Sequence, residues 1–483
     1  MSGRPRVVIV GAGIAGLSTA RALRQQAPDA EILVLEAHAR AGGNVRTEHI
    51  DGYVCEAGPD GFLDNAPATL AFVEDVGLTP ALLPSREAAQ RRFIFRHGRL
   101  NEVPISPLAF LRTPLLSAGS KIRVACEPFA RSAPAYDESI LRFAERHIGR
   151  EAAHVLVGSM VSGIFAGDAA ELSLRSCFPK MHEMDARYGS LVRAMLAKRR
   201  ERRRTDGIGA PRGRLTSFAG GMASLINAAV ADLGPAVRTN QRVSGLRPRR
   251  PPVDAALRLV GARSFTVVSA GPAIEADAVV LAGPASESAD LLHSFDPEAA
   301  HLLDGIATAP LAVVCLGYDE QALTDQRGPL DGFGFLVPRG EGPRILGALW
   351  ESSIYPGRAP GGKALLRVMI GGATDREAGD LDNRELLDIV RTDLDRTMGI
   401  RTVPEFVHVF RHHRGIPQYT TGHASRLMRI EKRLRDYPGL FLAGNSYRGV
   451  SINACIEDAP AVARRVASHL QSLPALLQYA AAR

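Results

Sequence analysis

The chain has 483 residues, 46% hydrophobic and 23% charged, with a net charge of +8; it reads as a globular protein of two or three domains around a large buried core. Its five cysteines, Cys55, Cys126, Cys177, Cys315 and Cys455, are scattered and never in C-x-x-C spacing, which argues against a disulfide framework or a zinc site. No stretch has the length and apolarity of a transmembrane helix, and Met1 to Arg6 lacks the apolar segment of a signal peptide, so a cytoplasmic protein is expected.

The first element is an apolar strand, Val7 to Val10, that meets a glycine turn and then a helical pattern; a second apolar run ends on Glu36. Gly11 permits the tight turn, Gly13 lets a pyrophosphate approach the backbone, and Gly16 lets the helix pack on the strand. Phosphates then meet free helix N–H groups and the positive end of the helix dipole. Twenty residues past Gly16, the Glu36 carboxylate is placed to accept hydrogen bonds from a ribose diol. Gly11, Ala12, Gly13, Ile14, Ala15, Gly16, Glu36 and Ala37 are therefore the expected dinucleotide contacts.

A second glycine pair follows in Arg40-Ala41-Gly42-Gly43-Asn44-Val45-Arg46. A nicotinamide fold does not need it, and it suggests a second close approach to a longer ligand, FAD. The segment resembles the amine-oxidase and phytoene-desaturase class of flavoproteins, with Gly43 and Asn44 at the cofactor. Where that class often carries Arg directly after the glycines, this chain has Asn44, and Arg46 comes two positions later. Ile50 to Glu56 alternates like a strand and enters Gly58-Pro59-Asp60-Gly61. On its residues alone this is an ordinary turn; the resemblance puts it beside the flavin.

Pro67 to Leu78 reads as a short helix, and Arg91 to Phe95 with His97-Gly98-Arg99 as a hairpin. From Val103, Pro104, Pro107 and Pro114 break up an apolar segment, and helical patterns run from Lys121 to Pro128 and from Glu138 to Gly149. Pattern alone favours a helical insertion packed on its own core. The flanking Arg112, Lys121 and Arg123 make contact with a bilayer surface the alternative.

Val161-Ser162-Gly163-Ile164-Phe165-Ala166-Gly167-Asp168, the following Leu172-Ser173 and Phe178-Pro179, and Tyr188-Gly189-Ser190-Leu191 resemble the oxygen-dependent protoporphyrinogen oxidases. The likeness extends to Ser217 to Met222, Gly332-Phe333-Gly334, Gly415-Ile416-Pro417-Gln418-Tyr419 and Gly439 to Asn445. It implies that Arg92 pairs a substrate propionate and that Phe333, Leu336 and Met369 line the ring pocket. Gly163 would bring backbone against the macrocycle, and the Val243 amide would meet the adenine. Phe335 stands where some relatives have a polar residue, which bears on the details of the pocket.

Lys198 to Arg204 holds much of the positive excess. No aromatic residues interleave with it, so a solvated loop before Gly207 to Gly213 is expected, and no nucleic-acid binding. Val237 to Leu246 reads as a strand, Arg247 to Pro252 as a loop, and Val267 to Leu281 as a hairpin and a buried strand. Pro310 to Tyr318, Gly334 to Val337, Ile345 to Trp350, Leu365 to Ile370 and Phe406 to Arg411 are strand-like, and Leu386 to Met398 is helical. Adjacent His412 and His413 would point to opposite faces of a strand, so no metal is expected. Finally, strand Leu440 to Ala443, Gly444-Asn445 and a helix from Val450, Ser451 and Ile452 read as the second half of the flavin site. A helix N-terminus there would face the pyrimidine ring.

The expected fold is α/β (α+β): a discontinuous Rossmann-like FAD-binding domain (1–72, 205–285, 428–483), a mixed-sheet substrate domain (73–92, 286–427) and a helical, membrane-associated insertion (93–204). The resemblance implies six-electron oxidation of protoporphyrinogen IX with FAD and O2, yielding hydrogen peroxide, in haem biosynthesis. The flavin would do the chemistry, and no catalytic side chain is assigned. Coproporphyrinogen III oxidation, an amine oxidase or carotenoid desaturase, and a non-catalytic flavin-holding assembly partner are the alternatives. Attachment to the cytoplasmic face of a membrane, a homodimer and hand-over of product to a chelatase are further partnerships considered.

Overall fold

In the computed structural model, residues 4–130, 134, 136–204, 213–249 and 264–481 are described. Five parallel strands form one sheet in the order Val237–Arg238, Glu31–Leu35, Arg6–Val10, Ala278–Leu281 and Leu440–Leu442. Val7, Val8 and Ile9 of the central strand are fully buried, as expected of a parallel strand covered on both faces. Helices Ile14–Gln26, Ala223–Leu233 and Ile452–Ala481 cover one face, through Leu17, Leu23, Ile226 and Val462 among others. The other face is covered by the antiparallel strands Gly245–Pro248, Phe265–Val268 and Ile274–Ala276, and by helices Ala285–Leu292, Pro297–Asp304 and His423–Leu434.

A second, seven-stranded sheet runs in the order Phe406–Pro417, Thr308–Asp319, Lys363–Gly371, Ile345–Leu349, Gly334–Leu336, Arg92–Arg96 and Arg99–Glu102. Gly334–Leu336 and Arg92–Arg96 pair in parallel, whereas the other neighbours are antiparallel. Helix Asn383–Met398, opened by an Asp382/Glu385 capping box, packs Leu386, Val390 and Leu394 on one face. On the other lies the hairpin Thr47–Ile50/Tyr53–Glu56, with Tyr53 stacked 4.5 Å from Phe406. This hairpin hands the chain from the nucleotide sheet to the substrate sheet, and the Gly58–Gly61 turn follows it directly.

Between Glu102 and Leu215 the described chain is helical. Its cores centre on Phe143, Val161, Phe165 and Leu174 and on Ile94, Leu115 and Val155. A buried ionic knot fastens it: His147 lies 2.6 Å from Glu127 and 3.1 Å from Asp185, and Arg146 pairs with Glu138 and Asp185. Ile105, Leu108, Leu111, Ile122 and Phe129 stay exposed; Phe129 is 82% accessible. No helix among the described residues is long and apolar enough to cross a membrane.

Several boundaries differ from expectation. The basic run at Lys198–Arg204 completes helix Leu191–Arg204 in place of a loop, because Lys, Arg and Glu are strong helix formers; residues 205–212 lie outside the described residues. The strand expected from Val237 to Leu246 is split in two by Asn240, which adopts φ +54° and so leaves the β region. Arg247 and Pro248 extend the second piece, and 250–252 of the expected loop are outside the described residues. The substrate sheet takes in Arg92–Glu102, so the helical insertion begins after Glu102 and not at 93. Residues from Ala285 to Ile306 pack behind the nucleotide sheet, not in the substrate domain.

Candidate cofactor and substrate site

Gly11, at φ +105°, ends the central strand, and its N–H donates to Leu35 O at 2.8 Å. A Cβ on Gly16 would overlap the Gly11 carbonyl oxygen, so close strand–helix packing requires glycine there. Gly13 is different: a Cβ there would meet nothing within 4 Å, and one on Gly43 would come 3.8 Å from the Gly13 Cα. The two glycine loops therefore pack directly on each other, while the side of Gly13 where a side chain would stand is open. Helix Ile14–Gln26 has no side-chain cap, leaving first-turn N–H groups for an anion. Ala12, Ile14 and Ala15 are buried in the core beside this turn. Glu36 is buried and accepts from Ala12 N and His38 N, both at 2.9 Å, so the carboxylate also ties the glycine turn to the second strand. Ala37 follows it, half-buried. The chain passes this strand end again, with Gln241 N donating to Glu36 O at 2.7 Å, two residues before Val243.

The second glycine pair is braced from below. Gly42 N donates to Ala12 O at 2.8 Å, and Arg40 donates to the carbonyls of Ala41, Gly43 and Val45. Burial and the neighbouring Arg46 lower the Arg40 pKa. Asn44 donates from Nδ2 to Gly415 O at 3.2 Å, linking the pair to the Gly415-to-Tyr419 segment. Arg46 pairs with Glu48 and lies 5.4 Å from the Phe410 ring. At the far end, Gly444 adopts φ +115° after the last strand, and Ser451 Oγ accepts from Ala454 N at 3.1 Å to open the C-terminal helix. Ile452 is buried in the nucleotide core, and Val450 packs against the helical insertion. Tyr419 OH donates to Asn445 O.

A cluster the sequence reading did not find lies under the Gly58–Gly61 turn. Arg367 donates from Nη1 to Gly58 O at 2.6 Å and to Glu56 O at 3.2 Å; its Nη2 is 3.8 Å from Asp60, and its Nε 2.9 Å from Glu351. Arg358 sits 3.4 Å from Glu56 and donates to Ser217 Oγ at 2.7 Å. Glu56, Glu351, Arg358 and Arg367 are all buried. Gly61 packs on Tyr355, whose hydroxyl would lie 2.5 Å from a Cβ there. A signal was present: Arg367 interrupts the apolar run Leu365-Leu366-Arg367-Val368, and a charge inside a buried strand must have partners. Likewise, His412 is held half-buried, donating from Nε2 to Ala57 O at 2.8 Å, while His413 faces solvent. Burial lowers the His412 pKa.

The expected substrate residues converge at one end of the second sheet. Arg92 pairs in register with Gly334, and its guanidinium carbon lies 4.8 Å from the centre of the Phe333 ring. Phe333 and Met369 pack against the same group, Leu349, Ile354 and Tyr355. A Cβ on Gly163 would approach Leu336 to 2.8 Å, so helix and strand touch there. Phe335 points away from Leu336, as alternation along Gly334–Leu336 requires, and enters the core under helix Asn383–Met398; Phe333 lies before the strand, across Gly334 at φ +130°, and packs with the other group.

A parallel nucleotide sheet with two facing glycine loops, joined through the Gly58–Gly61 turn to a mixed substrate sheet, defines a flavin-dependent oxidoreductase with FAD as its cofactor. The chain belongs to the flavin containing amine oxidoreductase family, whose pattern matches residues 14–467. It is 33% identical over 481 residues to protoporphyrinogen oxidase 1, chloroplastic, of Arabidopsis thaliana, covering 94% of this chain and 86% of that one. It is 28% identical to the coproporphyrinogen III oxidase of Bacillus subtilis, covering 97% and 99%. A solved structure from Exiguobacterium sp. 255-15, assigned as a protoporphyrinogen oxidase, superposes with a TM-score of 0.80 at 27% identity, covering 96% of this chain and 99% of that one. Cyclohexylamine oxidase from Brevibacterium oxydans shares the fold, with a TM-score of 0.67 at 17% identity over 97% of this chain and 100% of that one.

Proposed function

We propose that this protein oxidises protoporphyrinogen IX to protoporphyrin IX in haem biosynthesis, passing six electrons in three two-electron steps to oxygen. Bound FAD supplies the hydride-accepting chemistry. The chain's own task is to hold an apolar carboxylate-bearing macrocycle against it. Phe333, Leu336 and Met369 offer an apolar wall, Gly163 admits close backbone approach, and Arg92 pairs a propionate through two parallel hydrogen bonds.

The observation that carries this reading is Arg92: it has no carboxylate at ion-pair distance among the described residues and sits over Phe333 beside the apolar wall. Coproporphyrinogen III, with four carboxylates, is the second reading, favoured by the Bacillus relative. Against it, Arg339, three residues past Leu336, is already paired to Asp168 at 3.1 Å. The test compares kcat/KM on the two porphyrinogens by porphyrin fluorescence under air. Protoporphyrinogen should be preferred, and absence of fluorescence from both would sink the proposal.

The helical insertion is the proposed contact with a membrane surface. Its exposed Ile105, Leu111, Ile122 and Phe129 lie near Arg112, Lys121 and Arg123, which suits apolar insertion beside anionic headgroups. Co-sedimentation with anionic vesicles is expected; a protein that stays in the supernatant would refute it.

A further inference from the structure

Each two-electron oxidation of a porphyrinogen removes a hydride from carbon and a proton from nitrogen or carbon. The hydride goes to the flavin, and the proton needs a base. When oxygen is reduced to hydrogen peroxide, hydride and proton are both consumed, so a base that stored the proton can return it. None of the residues of the substrate wall is such a base.

The cluster beneath the Gly58–Gly61 turn has the required imbalance. Three carboxylates, Glu56, Asp60 and Glu351, face two guanidiniums, Arg358 and Arg367. Fully ionised, it carries one surplus negative charge inside the protein, which burial makes costly. The geometry decides which acid relieves it. Burial raises the Glu56 pKa too, but Glu56 accepts hydrogen bonds from Thr47 Oγ1 at 2.7 Å and Met222 N at 2.8 Å, both of which favour its ionised form and which Glu351 lacks. Asp60 keeps partial contact with solvent. Glu351 is buried, and neither of its oxygens accepts a hydrogen bond: Oε1 touches Arg367 Nε at 2.9 Å, but the N–H does not point at it. The remaining titratable groups that interact with Glu351 and Arg367 are Tyr355, whose hydroxyl is also unpartnered, the buried Cys315, and the half-buried His412, which burial and Arg367 keep towards its neutral form.

We propose that Glu351 is the proton store of this cycle: it takes up the proton stripped from substrate in each two-electron step and gives it back as oxygen becomes hydrogen peroxide. Burial and the nearby Asp60 and Glu56 push its pKa up to about 7, with Arg367 and Arg358 opposing. At neutral pH the cluster therefore stands between its two charge states, and negative charge arriving on the reduced cofactor tips it towards protonation. Asp60, in the turn itself, keeps one unpartnered oxygen, and Tyr355 packs on Gly61, so groups that interact with Glu351 reach the turn directly. Glu351 acts through the turn and is not itself placed at the substrate.

The proposal rests on the oxidase reading for its proton source, but its test needs no substrate. The FAD-loaded protein is photoreduced without oxygen in weak buffer, and proton uptake per flavin is read with an indicator dye. At about pH 8 the wild type should take up about one proton more than Glu351→Gln, and at about pH 6 the two should agree, because Glu351 is then already protonated. Glu351→Asp should restore the extra proton. Equal uptake by wild type and Glu351→Gln at both pH values overturns the proposal. If Glu351→Gln fails to retain FAD, infrared difference spectra of the glutamate-labelled wild type decide: reduction at about pH 8 must create a protonated-carboxyl band, and its absence overturns the proposal as well. Proton uptake seen in a protein that oxidises no porphyrinogen would discard the substrate assignment alone.

Discussion

Arg92 lends itself to a quantitative test because almost nothing in the free protein depends on it. Its side chain is exposed, and its one described side-chain contact is the stack on Phe333 at 4.8 Å; an exposed cation–π pair is worth about 0.5–1 kcal/mol. Arg92→Ala should therefore leave FAD content unchanged and lower the melting temperature by no more than about 2 °C. Its effect on turnover is larger. A charge-assisted hydrogen-bond pair to a propionate contributes about 1.5–3 kcal/mol, so kcat/KM should fall by about 10- to 150-fold. The pair holds substrate and transition state alike, so the loss should appear in KM with kcat nearly constant. Arg92→Lys keeps the charge but not the planar fork, and should fall between. Steady-state porphyrin fluorescence over a range of protoporphyrinogen concentrations, with bound flavin measured in parallel, makes the comparison. A kcat/KM within about twofold of wild type would refute the propionate role; loss of FAD would show that Arg92 supports the cofactor domain instead.

Gly16→Ala would drive a methyl group into the Gly11 carbonyl, costing about 1–3 kcal/mol of overpacking and reducing the flavin-to-protein absorbance ratio; full flavin retention would contradict the packing argument. Arg367→Met removes the cation shared by Glu351 and Asp60 and should destabilise by about 3–5 kcal/mol in denaturant titration; a loss below about 1 kcal/mol would show that the cluster relaxes. Burial holds the His423 imidazole down at about 4, below its unfolded value of about 6.5. The folded state thus resists protonation, and this stability is complete above about pH 6.5 and is lost as pH falls towards 4, by up to about 3 kcal/mol. His423→Gln should flatten that acid limb, and an unchanged slope would rule the histidine out. Changing Ile105, Leu111 and Phe129 together to Ser removes three exposed apolar side chains, each worth about 1.5–3 kcal/mol when buried; vesicle binding should fall at least about tenfold, and undiminished binding would move the contact elsewhere.

The parts of the fold legible in sequence are those where one local rule dominates. Gly11, Gly13, Gly16 and Glu36 are contiguous with the strand and helix they serve, so spacing alone locates them. Arg92, Phe333, Leu336, Gly163 and Met369 come from four distant stretches, and only the likeness to a known family brought them together; the folded chain sets Arg92 beside Gly334 in adjacent strands. Phe335 shows the limit of such likeness, since position in a motif does not say which face of the strand a side chain occupies. The Glu56–Glu351–Arg358–Arg367 cluster escaped because its members come from two strands, a short helix and the loop after it, and no periodicity links them. The helical end at Lys198–Arg204 is not legible for another reason: a run of like charges signals solvent exposure, and an exposed loop and an exposed charged helix meet that requirement equally.

The strand order of the nucleotide sheet also constrains how the protein is made. The sheet places Ala278–Leu281 between Arg6–Val10 and Leu440–Leu442, strands whose facing ends are separated by 430 positions. During synthesis at about 5–20 residues per second, the first strand waits roughly 20–90 s for the last. Once Ala278–Leu281 is made, its outer edge stays unpaired until Leu440–Leu442 follows, and throughout the wait Gly444 is absent, so the nascent chain cannot close its grip on the cofactor. Cofactor capture is therefore a late event on the ribosome, and any fragment truncated before Leu440 should be a target for chaperones or proteases however complete its substrate sheet.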